Sequence, residues 1–142
     1  MSIFYQPVAI VSRTGASSEE VEALVDTGSV YLWVPGSVLR RLGYEPVETR
    51  RFATATGEEI ERGVGPAVVR LDGRTLPVFA TFGDEGSTPL LGAVVLEIFG
   101  LAVDTINHRL VPVTLPLASV PARHSTPALP PADAPRRSCR TP

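Results

Sequence analysis

The sequence predicts an all-β fold that contains one short helix after residue 92 and accommodates a second near residues 37–42. Two observations indicate this class. Short segments rich in β-branched and aromatic residues alternate with turn signals, which is typical of strands joined by tight connections. The clearest of these turns is Asp72-Gly73, a dipeptide favoured in two-residue β-hairpins. The helical stretches are only about two turns long, so strands dominate the prediction.

The first third of the chain contains three predicted strands. They cover residues 3–11, 21–25 and 30–34, with a turn at 14–18 between the first two. Residues 30–34 are apolar throughout, which predicts a strand buried on both faces. A short helix can follow through residues 37–42, with Ser37 as its N-cap and Gly43 ending it.

The rest of the body alternates strands with turns and ends in a short helix. Strands are predicted at 47–55, 60–71, 75–82, 101–103 and 109–113, and the last two are expected to close the sheet. Hydrophobic residues are sparse on both sides of Thr56-Gly57, so the first two of these strands should form a protruding hairpin. Residues 93–99 have helical spacing of apolar side chains, and Gly100 ends this helix.

Length and composition predict a single folded domain. The chain has 142 residues, of which 44% are hydrophobic and 20% charged, so it can form a packed core. The net charge of -2 argues against a general nucleic-acid-binding protein. We therefore expect no nucleic-acid partner.

Targeting signals are not evident in the sequence. Cys139 is the single cysteine, so no internal disulfide supports an oxidising compartment. No apolar run approaches the roughly 20 residues of a membrane span. Residues 1–7 lack the basic start and long apolar segment of a signal peptide. We predict a cytoplasmic protein with no membrane partner.

Composition changes near residue 116. Residues 117–142 hold six prolines and four arginines but few large apolar side chains. Such a segment cannot bury enough surface to offset the loss of chain entropy, so we predict a disordered Pro/Arg-rich tail. The predicted domain is therefore residues 1–116.

Asp26 stands where the sequence pattern is locally inconsistent. Apolar residues at 23–25 lead directly into Asp26-Thr27-Gly28-Ser29, and apolar residues resume at 30–34. A charge between two strands that look buried is a feature of functional sites. The alternative is a turn aspartate that bonds only to its own backbone. Glycine at position 28 permits backbone angles that other residues resist.

Three separated motifs together resemble the retropepsin-like aspartic proteases, the small single-lobed class with viral and bacterial members. The matching residues are Leu24-Val25-Asp26-Thr27-Gly28-Ser29, Thr54-Ala55-Thr56-Gly57, and Leu90-Leu91-Gly92-Ala93-Val94-Val95-Leu96. The resemblance covers about residues 3–115 and leaves the tail outside. It implies a closed, acid-protease-type β-barrel with a short helix after Leu91-Gly92.

The resemblance also implies roles for individual residues. Asp26 would be the catalytic carboxylate, and Thr27, Gly28 and Ser29 would form the active-site loop. Thr27 would bond across to a partner loop, and Ser29 would donate to the carboxylate. Substrate would lie under a flap made by Thr54, Ala55, Thr56, Gly57 and Glu58. Leu91 and Gly92 would support the site structurally, and neither a metal nor a cofactor is implied.

The sequence contains one Asp-Thr-Gly only. The other Asp-Thr pair, Asp104-Thr105, is followed by Ile106. Aspartic proteases use two carboxyls that share a proton, so the second must come from another chain. The resemblance therefore implies a homodimeric aspartic endopeptidase acting on peptides or proteins, with residues 3–9 and 109–115 as candidate interface strands.

Two alternatives remain at this level. One is a noncatalytic retropepsin-fold module that dimerises or binds peptides, because Glu58, Glu59 and Glu61 make the hairpin acidic and unlike the glycine-rich viral flap. The other is an unrelated small β-barrel binding domain. His108 and His124 have no metal-ligand spacing around them.

Overall fold

The computed structural model describes residues 4–118, which form a mostly β fold with two short helices. Its elements are β1 Tyr5–Val11, β2 Ser18–Val25, β3 Leu32–Pro35, α1 Gly36–Arg41, β4 Glu48–Ala53, β5 Glu59–Leu71, β6 Arg74–Gly83, β7 Leu90–Leu91, α2 Ala93–Phe99, β8 Leu101–Asp104 and β9 Arg109–Pro112. The predicted all-β class with a helix after Gly92 is confirmed. No helix within the described residues is long and apolar enough to span a membrane.

Seven strands form one mixed sheet. Their order is β1-β2-β7-β3-β6-β5-β4, and β1 makes a further antiparallel pairing with β5 over residues 9–11. The short strand β7 lies between β2, which it pairs in parallel, and β3, which it pairs antiparallel. The end of β2 and the start of α2 are therefore brought together at the centre of the sheet. That this sheet closes into a barrel stays a prediction.

The last two strands do not close this sheet, so that expectation was wrong. β8 and β9 pair only with each other, as a separate two-stranded sheet. The Asp104 carboxylate accepts hydrogen bonds from the backbone N–H groups of Ile106 and Asn107, and this local turn folds the two strands onto one another. The hydrogen bond from the Asn107 side chain, together with these backbone bonds, lowers the pKa of Asp104 to about 2.

The prediction that residues 30–34 are buried on both faces was also wrong. β3 begins at Leu32, and Val30 is 47% exposed. Leu32 and Val34 are fully buried in the core, whereas Trp33 is only half-buried. Successive side chains of a strand point to opposite faces, so an apolar run does not by itself show that both faces are covered.

The short helix α1 lies where expected, but Ser37 is not its N-cap. The cap residue is Pro35, without a side-chain hydrogen bond. Ser37 lies in the first turn, where its backbone N–H and its hydroxyl both donate to the Glu85 carboxylate. These bonds lower the pKa of Glu85. Gly43, which follows the helix, has a φ of +95°, in keeping with a glycine stop signal.

The two predicted hairpins and α2 are confirmed. β4 and β5 pair antiparallel, and β5 continues through Asp72-Gly73 into β6. Asp72 and Gly73 have φ values of +56° and +75°, the left-handed geometry that this type of hairpin turn requires. α2 ends at Gly100, whose φ is +65°.

The main core lies between the sheet and the two helices. Its fully buried side chains include Ile10, Leu32, Leu39, Val69, Leu91 and Phe99. Burial of such side chains contributes about 1.5–3 kcal/mol each relative to exposure. The predicted tail lies outside the described residues except for residues 117 and 118, which are exposed.

Candidate active site

Asp26 follows β2 at the point where that strand meets β7. Val25 is in parallel register with Leu91, and the Asp26 N–H donates to the Leu91 carbonyl at 3.0 Å. The central sheet pairing thus fixes the backbone that carries the carboxylate. Asp26 itself is half-buried and lines a cavity.

The Asp26 carboxylate accepts one hydrogen bond on each oxygen. The Gly28 N–H donates to Oδ1 at 3.0 Å, and the Ser29 hydroxyl donates to Oδ2 at 3.1 Å. The Ser29 bond expected from the resemblance is therefore present. Thr27 is exposed at the tip of the same turn, and its expected partner belongs to a second chain. Two local donors hold the carboxylate in one orientation.

Gly28 is needed for space rather than for an unusual backbone angle. Its φ does not fall in the left-handed region, contrary to the reason inferred from sequence. A Cβ at this position would lie 3.2 Å from Asp26 Oδ1, where it would crowd the hydrogen bond from the Gly28 N–H. Glycine therefore leaves room for the carboxylate to fold back onto the turn.

Gly92 allows the active-site loop to pack directly on α2. The carbonyl of Ser29 accepts from the Ala93 N–H at 2.9 Å, and that of Val30 accepts from the Val94 N–H at 3.0 Å. A Cβ on Gly92 would lie 2.5 Å from the Tyr31 carbonyl oxygen and 2.7 Å from that of Val30. Leu91 and Gly92 thus lie behind the loop and do not line the cavity.

The β4–β5 hairpin supplies the opposite side of the cavity. Its tip is closed by hydrogen bonds from the Thr54 N–H to the Glu58 carbonyl at 2.7 Å and from the Gly57 N–H to the Thr54 carbonyl at 2.9 Å. Thr54 and Ala55 line the cavity, which has a volume of about 770 Å³. Thr56, Gly57 and Glu58 are exposed and do not line it.

Sequence reasoning missed most of the cavity wall. Besides the residues expected there, the lining consists of Val30, Tyr31, Trp33, Arg51, Phe52, Ala53, Ile60, Thr81, Asp84 and Leu90. Trp33, within the segment 30–34 that was expected to be buried on both faces, forms part of this wall. The signal was present in the alternation of β3, because Trp33 must face away from Leu32 and Val34, which are in the core.

Neighbouring loops fix the orientation of Trp33. Its indole N–H donates to the Ser87 hydroxyl at 2.9 Å, and that hydroxyl donates in turn to the Asp84 carbonyl at 2.5 Å. The indole ring passes so close to Gly83 that a Cβ there would overlap it. Trp33 therefore presents an apolar ring to the cavity while its polar group is already satisfied.

Charged groups at the cavity rim are paired. The Arg62 guanidinium donates to both oxygens of Asp84, at 2.8 and 3.0 Å, and these bonds hold the pKa of Asp84 below its ordinary value. Arg51 lies 3.7 Å from Glu59 and 3.6 Å from Glu61. Within residues 4–118, no group of three or more His, Cys, Asp or Glu side chains is arranged to hold a metal.

Comparison with solved structures gives matches at low sequence identity. The simian foamy virus (mac) protease is 19% identical with a TM-score of 0.48, over 67% of this chain and 93% of that chain. A retropepsin-like aspartic protease from Rickettsia conorii is 18% identical with a TM-score of 0.49, over 72% of this chain and 76% of that chain.

A third match is to a larger viral protein. The foamy viral protease-reverse transcriptase, solved in complex with an RNA/DNA hybrid, is 13% identical with a TM-score of 0.51. The match covers 86% of this chain and 14% of that chain, so this chain spans a small part of its length. No protein-family model matches the sequence, and no curated protein matches it either. At a TM-score of 0.51 and 13% identity, this third match shows a likeness of fold alone, to the retropepsin-like fold that the three motifs predict.

Proposed function

We propose that the protein is an aspartic endopeptidase that uses Asp26 as one half of a catalytic pair. The observation that carries the proposal is the Asp26 carboxylate, which lies half-buried in a cavity with one local donor on each oxygen. Thr54 and Ala55 give the cavity one edge of the hairpin, along which an extended peptide can lie. The retropepsin-like fold is consistent with this chemistry and does not by itself establish it.

The second carboxyl in the proposal is Asp26 of a second copy. Two carboxyls about 3 Å apart cannot both ionise and so share one proton, as is general for aspartic proteases. The ionised carboxyl takes a proton from water as that water attacks the peptide carbonyl carbon. The protonated carboxyl donates to the carbonyl oxygen, which gives a tetrahedral diol. The carboxyl that took the proton from water then gives it to the amide nitrogen, the other carboxylate takes a proton from a hydroxyl of the diol, and the C–N bond breaks to leave a carboxylic acid and an amine.

A homodimer is part of the proposal because the other candidate carboxyls among the described residues are engaged elsewhere. Asp84, which lines the same cavity, is bonded through both oxygens to Arg62. Asp104, in the other Asp-Thr pair, is held in the β8–β9 turn by Ile106 and Asn107. Among the described residues, exposed apolar side chains are available for an interface after β9. They are Val113, Leu115 and Leu117, which are 45%, 51% and 90% exposed.

The finer features of the proposed protease follow the family pattern. Residues 54–58 form the tip of a flap that closes over substrate and excludes water. The sheet closes into a barrel, an idea supported by the pairing of β1 with both β2 and β5. The protease domain comprises residues 1–116. Neither a metal nor a cofactor is required by this mechanism.

The test is cleavage of a mixed peptide library across a range of pH. We expect the wild type to cut internal peptide bonds and Asp26→Asn to lose at least about a thousandfold in kcat, since one half of the pair can no longer ionise. Asp72→Asn is the matched control, because Asp72 lies in the β5–β6 turn and asparagine tolerates its positive φ. Equal activity of the wild type and Asp26→Asn would contradict the proposal and favour a noncatalytic module.

A further inference from the structure

Thr81 is a fully buried polar residue in the wall of the cavity that contains Asp26. It is 1% exposed, and it lies on β6 in register with Trp33 of β3 on one side and Val64 of β5 on the other. Its neighbours Ala80 and Phe82 belong to the main core, so Thr81 faces the opposite side of the sheet. That side is the cavity.

The Thr81 hydroxyl is alone among the polar side chains that the described residues place around this cavity in having neither a hydrogen bond nor an ion pair. The others are satisfied: Asp26 by Ser29, Tyr31 by Arg50, Trp33 by Ser87, Arg51 by Glu59 and Glu61, Thr54 by Thr56, and Asp84 by Arg62. A buried hydroxyl without a partner costs about 1–3 kcal/mol. Its presence in a cavity wall points to a group that arrives from outside.

The surroundings restrict what that group can be. Trp33 on β3 and Leu90 on β7 present apolar surface to the cavity beside Thr81. The Trp33 N–H is already bonded to Ser87 and offers nothing further to a ligand. A substrate side chain that fills the part of the cavity next to Thr81 must therefore have an apolar body and one polar group. An extended charged side chain does not meet this requirement.

We infer that Thr81 is a specificity-determining residue, whose hydroxyl binds the polar group of a substrate side chain seated against Trp33 and Leu90. The favoured substrates are peptides that carry threonine, serine or asparagine at this position, over their aliphatic counterparts valine, alanine and leucine. An aliphatic side chain leaves the hydroxyl buried and unpaired, and sites built in this way reject such analogues. The inference rests on the proposed endopeptidase function.

The first experiment measures kcat/KM on peptides that carry threonine or valine in turn at each position around the cleaved bond. At one position the wild type should prefer threonine by about fivefold or more. Thr81→Val, which keeps the side-chain shape, should abolish or reverse that preference, and Thr81→Ser should retain it. Thr75→Val is the control, because Thr75 is exposed on the same strand. An unchanged preference in Thr81→Val would overturn the inference and leave the proposed function intact.

The second experiment separates binding from catalysis. Trp33 is the single tryptophan of the chain, so its fluorescence reports on this corner of the cavity. Asp26→Asn protein should bind the threonine peptides about fivefold more tightly than the valine peptides, and the double variant with Thr81→Val should not. Failure of the wild type to cleave, with this binding preference intact, would refute the endopeptidase and keep the subsite. Equal binding of both peptide sets would overturn the subsite.

Discussion

At the scale of single residues, the small residues Gly28, Ser29 and Gly92 allow the Asp26 carboxylate to face the cavity. The charge that interrupts two apolar segments is not buried alone, because Gly28 and Ser29 each donate to one of its oxygens. A carboxylate without such partners in a half-buried position would be costly. Gly92 allows the loop to lie against α2, and the carboxylate therefore projects from a rigid backbone into the cavity.

Ser29→Ala should lower kcat by about tenfold, because loss of one charge-assisted hydrogen bond releases the Asp26 carboxylate from its fixed orientation. Steady-state kinetics on a peptide that the wild type cleaves provides the measurement. Ser18→Ala is the control, since Ser18 is exposed on β2 and does not line the cavity. Equal losses in both variants would argue against a role of Ser29 at the site. Ser29→Thr should restore most of the rate.

Gly92→Ala should destabilise the fold by about 3 kcal/mol or more, because the added Cβ would overlap the carbonyl groups of Val30 and Tyr31. Urea unfolding at constant m-value measures the loss. Gly36→Ala is the control, since its Cβ would meet only the mobile end of Arg40 and ordinary contacts at Phe82. If Gly92→Ala were as stable as Gly36→Ala, the close packing of the loop on α2 would be refuted.

At the scale of elements, side-chain bonds connect the β4–β5 hairpin, α1 and β3 to one loop. This loop, residues 84–88, is held by Arg62 of β5, by Ser37 of α1 and by Trp33 of β3. The 84–88 loop thus holds both β5 of the hairpin and Trp33 of the cavity wall. We expect changes in this loop to alter the positions of both.

Asp84→Asn should lower Tm more at about pH 7 than at about pH 2.5. The pKa of Asp84 in the folded state lies below its ordinary value of 3.8, mainly because of the hydrogen bonds from Arg62. A depressed pKa gives stability above the ordinary value, and this stability is lost as the pH falls through and below 3.8. Asp72→Asn is the control, because Asp72 makes only a 4.0 Å ion pair with Arg74. Equal Tm differences at both pH values would contradict the account.

The sequence predicted elements well where local chemistry decides them. The turn at Asp72-Gly73 and the end of α2 at Gly100 follow from residue-specific backbone preferences. Ser37 was misassigned because its preferred partner, Glu85, is 48 residues away and cannot be seen from a local pattern. Which strands β8 and β9 pair with likewise depends on tertiary contacts, which a local sequence pattern does not show.

The same division holds for the candidate site. The motif around Asp26 and the edge of the hairpin could be identified from sequence, because both are short and contiguous. Thr81 could not, since only the parallel pairing of β3 with β6 places it beside Trp33. The unpaired state of the Thr81 hydroxyl is visible only once its surroundings are folded.

At the scale of the whole molecule, the proposed site needs two chains, and the described residues include exposed apolar side chains after β9. Leu115→Arg should shift the protein toward monomer and lower the activity of a dilute sample by about tenfold or more, because a charge would be buried at the proposed interface. Sedimentation velocity and activity over a dilution series measure both effects. Val47→Arg is the control, since Val47 is 66% exposed near Tyr44 and away from Asp26. Unchanged association in Leu115→Arg would exclude this stretch from the interface.

The most direct test of the central claim is to mix wild-type and Asp26→Asn chains, allow subunits to exchange, and measure peptide cleavage against the wild-type fraction. If two Asp26 carboxyls from two chains form one site, activity follows the square of that fraction, and an equal mixture retains about one quarter of the activity of pure wild type. If each chain acts alone, activity falls in direct proportion and the equal mixture retains about one half. A linear dependence would contradict the shared site.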